Sequence, residues 1–237
     1  MPIQLFYEEK GSGEPLILLH GNGEDHTYFA HQIEFFARYF RVIAIDTRGH
    51  GASPRGQAPF TIRQFAEDLH DFMNEHQIGR AHILGFSDGG NIALVFALKY
   101  PGHVNKLILN GANLNAKGVK RSIQIPIEIG YRMAVIAAKK DKNAKKKEEM
   151  LGLMVNDPNV VPEELAELSV RTLVIAGTRD MIKASHTRLI HRSLPNSALV
   201  FLKGDHFIAN KQWEKFNTVV LKFLKGKRKI VNEETIK

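Results

Sequence analysis

Cysteine is absent from the 237 residues, which removes disulfide bridges, thiolate metal sites and cysteine nucleophiles together. A chain with no disulfide to form fits a reducing compartment, and the expected location is the cytoplasm. Long apolar runs are missing as well. Residues 133–138 form one of the longest, and six residues fall far short of the roughly 18 that a membrane span needs. The first ten residues place Glu8, Glu9 and Lys10 where a secretory leader needs an apolar stretch, so neither export by that route nor stable membrane insertion is expected. A phosphate loop and a dinucleotide fingerprint are also lacking, because Gly11-Ser12-Gly13 is too short and opens no helix. Eleven histidines invite a metal reading, yet no His-Glu-x-x-His or comparable ligand spacing occurs. His70, His76, His82, His103, His186 and His191 are read as surface residues, and no metal or other cofactor is expected.

What remains is the composition of a globular protein, 43% hydrophobic and 24% charged, and a chain of this length can bury roughly 70% of its unfolded surface in one core. The net charge of +8 is unevenly spread. Residues 117–147 hold ten basic side chains (Lys117, Lys120, Arg121, Arg132, Lys139, Lys140, Lys142, Lys145, Lys146, Lys147) against Glu128 and Asp141, an excess equal to that of the whole chain. Lys222, Lys225, Lys227, Arg228 and Lys229 form a second cluster. Neither brings the aromatic or helix-groove elements of a nucleic-acid surface, so both read as solvated charge and no nucleic-acid partner is expected.

Short β-branched runs alternate with segments of helical period, the pattern of an α/β protein with a mainly parallel sheet. Seven strands are expected, over 3–7, 16–20, 41–46, 82–85, 106–110, 172–176 and 199–202, with the first two joined by a glycine-rich antiparallel turn ending at Pro15. Helices are expected over 29–39, 61–77, 89–100, 185–194 and 210–224, where apolar residues recur as in Phe65, Leu69, Phe72 and Met73. Pro101 and Gly102 stop the third of these. Residues 115–169 break the rhythm, since connections elsewhere run to about 20 to 30 residues. They read as a small helical cap, with helical patterns over 131–147 and 162–168, inserted into a core made of 1–114 and 170–237. The lysine run from Lys139 to Lys147 reads as the polar end of a helix or a loop.

Gly85-Phe86-Ser87-Asp88-Gly89 follows an apolar strand and opens a helix, the setting in which G-x-S-x-G makes a nucleophile elbow. There a serine hydroxyl stands above the sheet edge, beside a helix N-terminus whose free N–H groups favour negative charge. A second loop, His20-Gly21-Asn22-Gly23, leaves an earlier strand end. The backbone N–H of Asn22, or of Gly23 in its place, is expected to join that of Asp88 in an oxyanion hole, while His20 reads as a structural histidine. A serine needs a base, and the base an orienting group. Asp180 and His206 follow the last two strands at the carboxyl edge, giving the chain order Ser87, Asp180, His206. Asp46 reads as a turn brace paired with Arg48, and Asp205 as a cap on its own loop.

With His20-Gly21-Asn22-Gly23, Asp46-Thr47-Arg48-Gly49-His50-Gly51-Ala52-Ser53, Gly85-Phe86-Ser87-Asp88-Gly89-Gly90, Gly177-Thr178-Arg179-Asp180 and Gly204-Asp205-His206 in order, the chain resembles the α/β-hydrolase family, in the subgroup with a helical cap. The Ser-Asp-Gly-Gly form, with Asn110-Gly111-Ala112-Asn113 after the next strand, is similar to biphenyl-hydrolase-like proteins that cleave amino acid esters. In those proteins the acid beside the nucleophile faces the substrate amine, which would give that role to Asp88. The chain departs from the family pattern by its short start, which leaves seven strands instead of eight, and by its compact, lysine-rich cap.

The expected function is a serine hydrolase cleaving small or medium acyl esters through an acyl-enzyme, with a small-molecule ester as its partner. An amino acid ester hydrolase, a carbon-carbon bond hydrolase or a perhydrolase would use the same triad. A ligand sensor without turnover is the rival from another class, and the complete triad argues against it. Epoxide hydrolases and haloalkane dehalogenases place aspartate where Ser87 stands. Ile123, Ile125, Ile127, Ile129, Tyr131 and Met133 either wall the pocket above Ser87 or pack the cap onto the sheet; Ile125, Ile129 and Met133 are carried as candidate substrate contacts.

Overall fold

The computed structural model describes residues 3–226 and 234–236. Its strands are β1 (Tyr7–Lys10), β2 (Pro15–Leu19), β3 (Arg41–Ile45), β4 (Ala81–Phe86), β5 (Val104–Asn110), β6 (Arg171–Gly177), β7 (Ser197–Leu202) and β8 (Glu234–Ile236). They form one sheet of order β1-β3-β2-β4-β5-β6-β7-β8, parallel except for β1. The helices are α1 (Ala30–Phe36), α2 (Ile62–Glu75), α3 (Asp88–Lys99), α4 (Arg121–Ala137), α5 (Lys142–Asn156), α6 (Ala184–Ser193), α7 (Ile208–Lys211) and α8 (Trp213–Lys225).

β2 shows why this sheet is covered on both faces. Ile17 and Leu19 enter one apolar cluster and Leu16 and Leu18 another, because successive side chains leave a strand on opposite sides. Phe65 of α2, Phe96 of α3 and Ile190 of α6 close the first cluster. Ile33 and Phe36 of α1 with Phe216 and Val220 of α8 close the second. The carboxyl ends of the parallel strands are thereby held in one row at a single edge, and their loops are the only part of those strands left to carry chemistry.

Strands β2 to β7 lie within two residues of the expected bounds, and the sheet has eight strands where seven are expected. The first strand is Tyr7–Lys10, beyond most of 3–7, and it pairs antiparallel with β3, so it makes no hairpin with β2. Leu5 is buried among core residues, whereas Glu8 to Lys10 are exposed; an edge strand carries charge because charge deters pairing with other chains. Gly11 permits the crossing to β2: its φ is +86°, and an added Cβ would stand 2.3 Å from the carbonyl oxygen of Phe40. The eighth strand, β8, pairs with β7. Lys227, Arg228 and Lys229 of the second basic cluster lie outside the described residues.

Between β5 and β6 the chain forms a helical hairpin, α4 and α5, followed by a 3-10 stretch at Pro162–Glu167. The single pattern expected over 131–147 is thus two helices, with a turn after Ala137 closed by bonds from the N–H groups of Lys140 and Asp141 to the Ala137 carbonyl.

Candidate active site

Ser87 sits between β4 and α3 with φ 53° and ψ −119°, a conformation that costs a non-glycine residue of order 1–3 kcal/mol. The neighbouring glycines make it possible. An added Cβ on Gly85 would meet the Gly89 carbonyl oxygen at 2.1 Å, and one on Gly89 would meet that of Leu19 at 2.0 Å. The elbow and the loop that follows β2 are therefore pressed backbone to backbone.

The structure brings Ser87, His206 and Asp180 together. His206 Nε2 lies 3.0 Å from Ser87 Oγ, and His206 Nδ1 lies 2.6 Å from Asp180 Oδ1. Asp180 also accepts from the N–H of Ile182 at 2.9 Å and of Gly177 at 3.3 Å, which fixes its carboxylate. Asp180 and His206 are buried, while Ser87 keeps partial access. Gly111, in the turn after β5, lies behind the imidazole: its φ is +64°, and an added Cβ would stand 2.7 Å from His206 Cε1. In the arrangement seen, Nδ1 donates to Asp180, leaving Nε2 free to accept the serine proton.

Of the expected oxyanion donors, Asp88 is the first residue of α3, so its N–H points outside the helical ladder. Asn22 lies in the loop pressed on the elbow, and its side-chain amide donates to the Met150 carbonyl of α5 at 2.7 Å. Gly23 follows with φ +76°. His20 has the structural role expected: its Nδ1 donates to the Gly21 carbonyl and its Nε2 accepts from the Thr47 N–H, and burial pulls it down to about 4, so it is neutral near pH 7.

Two carboxyls nearby are held above their ordinary range. Burial pushes Asp88 up to about 6, against the pull of the Asn22 and Asn91 side chains; its Oδ1 accepts from Asn91 at 3.3 Å, while Oδ2 is buried without a donor at close hydrogen-bond distance. Glu24 was not singled out by the sequence. Burial pushes it up to about 7, against a bond from the Gly21 N–H at 3.1 Å and the field of His206. Its only sequence signal is its place just after Asn22-Gly23.

Several expectations need correction. Ile125, Ile129 and Met133 are 43, 54 and 66% exposed; the helical period turns them to solvent, while Gln124 and Ala134 face inward and α5, not α4, reaches the Asn22 loop. Asp46 braces its turn through the N–H groups of His26 and Ala52, but Arg48 pairs with Asp68, midway along α2, in a buried ion pair. Among the histidines read as surface residues, His82 and His186 are buried, His186 accepting from the Leu114 N–H at 2.9 Å, and the other four are half-buried. Asp205 caps its loop through the Phe207 N–H. Among the described residues one trio, Asp25, His26 and Asp46, gathers metal-ligand atom types, and the His26 to Asp46 bond of 2.8 Å already engages two of them.

Residues 14–127 match the family model described as alpha/beta hydrolase fold. A thermophilic esterase from Thermogutta terrifontis has the same fold over 94% of this chain and 93% of its own, with a TM-score of 0.76 and 25% identity. The chain belongs to the α/β-hydrolase family. Among curated relatives, this α/β hydrolase is 32% identical over 76% of its length to a 2-hydroxy-6-oxononadienedioate/2-hydroxy-6-oxononatrienedioate hydrolase from Burkholderia vietnamiensis, and spans 63% of that protein. It is 27% identical to the human serine hydrolase BPHL, over 94% of this chain and 83% of the relative. Among the described residues of this α/β hydrolase, no helix is long and apolar enough to cross a membrane.

Proposed function

We propose that the protein hydrolyses carboxylic esters of small or medium acyl size through an acyl-enzyme on Ser87. The observation that carries this reading is the unbroken chain of contacts from Ser87 Oγ through His206 to Asp180. His206 Nε2 takes the hydroxyl proton as Ser87 Oγ bonds to the ester carbonyl carbon. The N–H groups of Asn22 and Asp88 hold the oxyanion, and the intermediate collapses as the alcohol leaves with the proton from His206. Water, deprotonated by the same imidazole, then cleaves the acyl-serine and restores Ser87. The short helical cap favours a small acyl group, and soluble butyrate esters are expected to turn over faster than emulsified long-chain triglyceride. The reverse order in a side-by-side assay would sink the acyl-size reading.

A second reading, an ester bearing an α-amino group, is favoured by the buried Oδ2 of Asp88, which lacks a close donor although the Asn22 side chain lies near the carboxyl. A substrate ammonium would supply the missing donor, and a charge-assisted bond of roughly 1.5–3 kcal/mol gives about ten- to hundredfold preference over the des-amino ester. The sign with pH follows from the raised carboxyl. Below about 6 Asp88 is protonated and the preference fades; above about 8 the α-amino group loses its charge. The ratio of kcat/KM for an amino acid ester over its des-amino analogue is therefore expected to peak between these limits and to fall towards unity in Asp88→Asn. A ratio that ignores both pH and the substitution leaves Asp88 as a helix-end residue.

A further inference from the structure

The outward face of α4 is apolar. Ile125, Ile129, Met133 and Ile136 recur at helical spacing on the side opposite Gln124 and Ala134, and are 43, 54, 66 and 70% exposed. With Ile123 they make up five of the ten exposed large apolar side chains found among the described residues. Single exposed isoleucines are ordinary, but a stripe about 16 Å long on one helix is not. The inward face is already covered by α5: the Gln124 amide donates to the Met154 carbonyl at 3.4 Å, and an added Cβ on Gly152 would stand 3.4 Å from the Tyr131 ring.

Charge identifies the occupant. Exposed Arg121 and Arg132 border the stripe on the helix itself, Lys117 and Lys120 precede it, and Lys139 and Lys140 follow it, all exposed. At its N-terminal end lies a cleft of about 410 Å³ lined by Lys117, Arg121 and Lys183, with Ile125 in its wall and Glu128 as the one acid. A second copy of the chain docked here about a two-fold axis would set these cations against one another. A nucleic acid would leave the isoleucines uncovered. An interface with negative headgroups above an acyl boundary matches both the charges and the stripe.

We propose that α4 docks the protein on an anionic phospholipid membrane. The helix lies in the plane of the interface, with the four apolar side chains below the headgroups and the flanking arginines and lysines at the phosphates. This is peripheral docking, and it stands whether or not the protein is an esterase.

The test is co-sedimentation of the full chain with vesicles of phosphatidylglycerol and phosphatidylcholine in equal parts, and with phosphatidylcholine alone. Binding to the anionic vesicles is expected to be at least about tenfold tighter and to weaken with salt. The pair Ile129→Asp and Met133→Asp is expected to lower it at least about tenfold with an unchanged circular dichroism spectrum, since both sites face solvent. Arg121→Gln with Arg132→Gln should weaken binding and flatten its salt dependence. Met133→Gln alone, a polar replacement of similar size, serves if aspartate disturbs the helix, and should also weaken binding. Several results would overturn the proposal: no vesicle binding, equal binding to neutral and anionic vesicles, or binding indifferent to the apolar substitutions. Two more would do so: a dimer dispersed by those substitutions, which assigns the stripe to a second copy, and inorganic phosphate bound in the cleft without any vesicle binding.

Discussion

Replacement of Ser87 by alanine is expected to lower kcat on a soluble butyrate ester by about 10⁴- to 10⁶-fold while leaving the melting temperature in place. Only one oxygen is lost, and its bond is to His206; the φ of 53° at this position is the same burden for alanine as for serine. The residues of such a triad act as one unit, so a Ser87→Ala, His206→Ala double variant should be no slower than either single one. A fluorophosphonate should label the parent on the peptide containing Ser87 and leave the alanine variant unlabelled. Full esterase activity in Ser87→Ala would end the acyl-enzyme mechanism.

Gly111→Ala should cost activity through the imidazole, less than Ser87→Ala does, while disturbing the fold only slightly. The new methyl group would stand 2.7 Å from His206 Cε1 and 3.0 Å from Nδ1, closer than van der Waals contact allows. The imidazole is the softer partner and must turn aside, stretching its bonds to Ser87 and Asp180. Misplacement of a catalytic group by about 1 Å can cost on the order of 10²-fold in rate. The φ of +64° adds about 1–2 kcal/mol of backbone cost, so Tm should fall by only a few degrees. Gly102→Ala is the control, since nothing lies within 4 Å of its added Cβ. If kcat of Gly111→Ala matches that of the control, Gly111 does not position the imidazole.

The strands that were legible were those buried on both faces, because β2 and β4 to β7 each carry an uninterrupted apolar run that no surface segment needs. β1 was misplaced because its residues Glu8 to Lys10 are those of an edge, and β8 offers three residues without an apolar pattern. The triad was legible because each member follows a strand end within three residues of a glycine, Gly85 and Gly89 about Ser87, Gly177 before Asp180 and Gly204 before His206. Glu24 was missed because its closeness to His206 comes from a turn, in which its N–H reaches the Gly21 carbonyl, and not from any spacing. The break between α4 and α5 carries no stop signal, since Ala137, Ala138, Lys139 and Lys140 all favour helix; it is set by α5 folding back on α4. The isoleucines of α4 alternate at every second residue from Ile123 to Ile129, a spacing that names no helical face until the axis is known. Arg48 found its acid twenty positions away in Asp68, a pairing that only the sheet-to-helix contact creates.

The 2.7 Å bond from the Asn22 amide to the Met150 carbonyl gives one residue two obligations. Its backbone N–H belongs to the loop beside Ser87, and its side chain belongs to α5. If α5 lifts to admit a substrate, either that bond breaks or the loop travels with the helix. Entry beneath the cap and the placing of the loop beside Ser87 are therefore coupled through one residue, so that a molecule held open is one whose loop is either untethered or displaced.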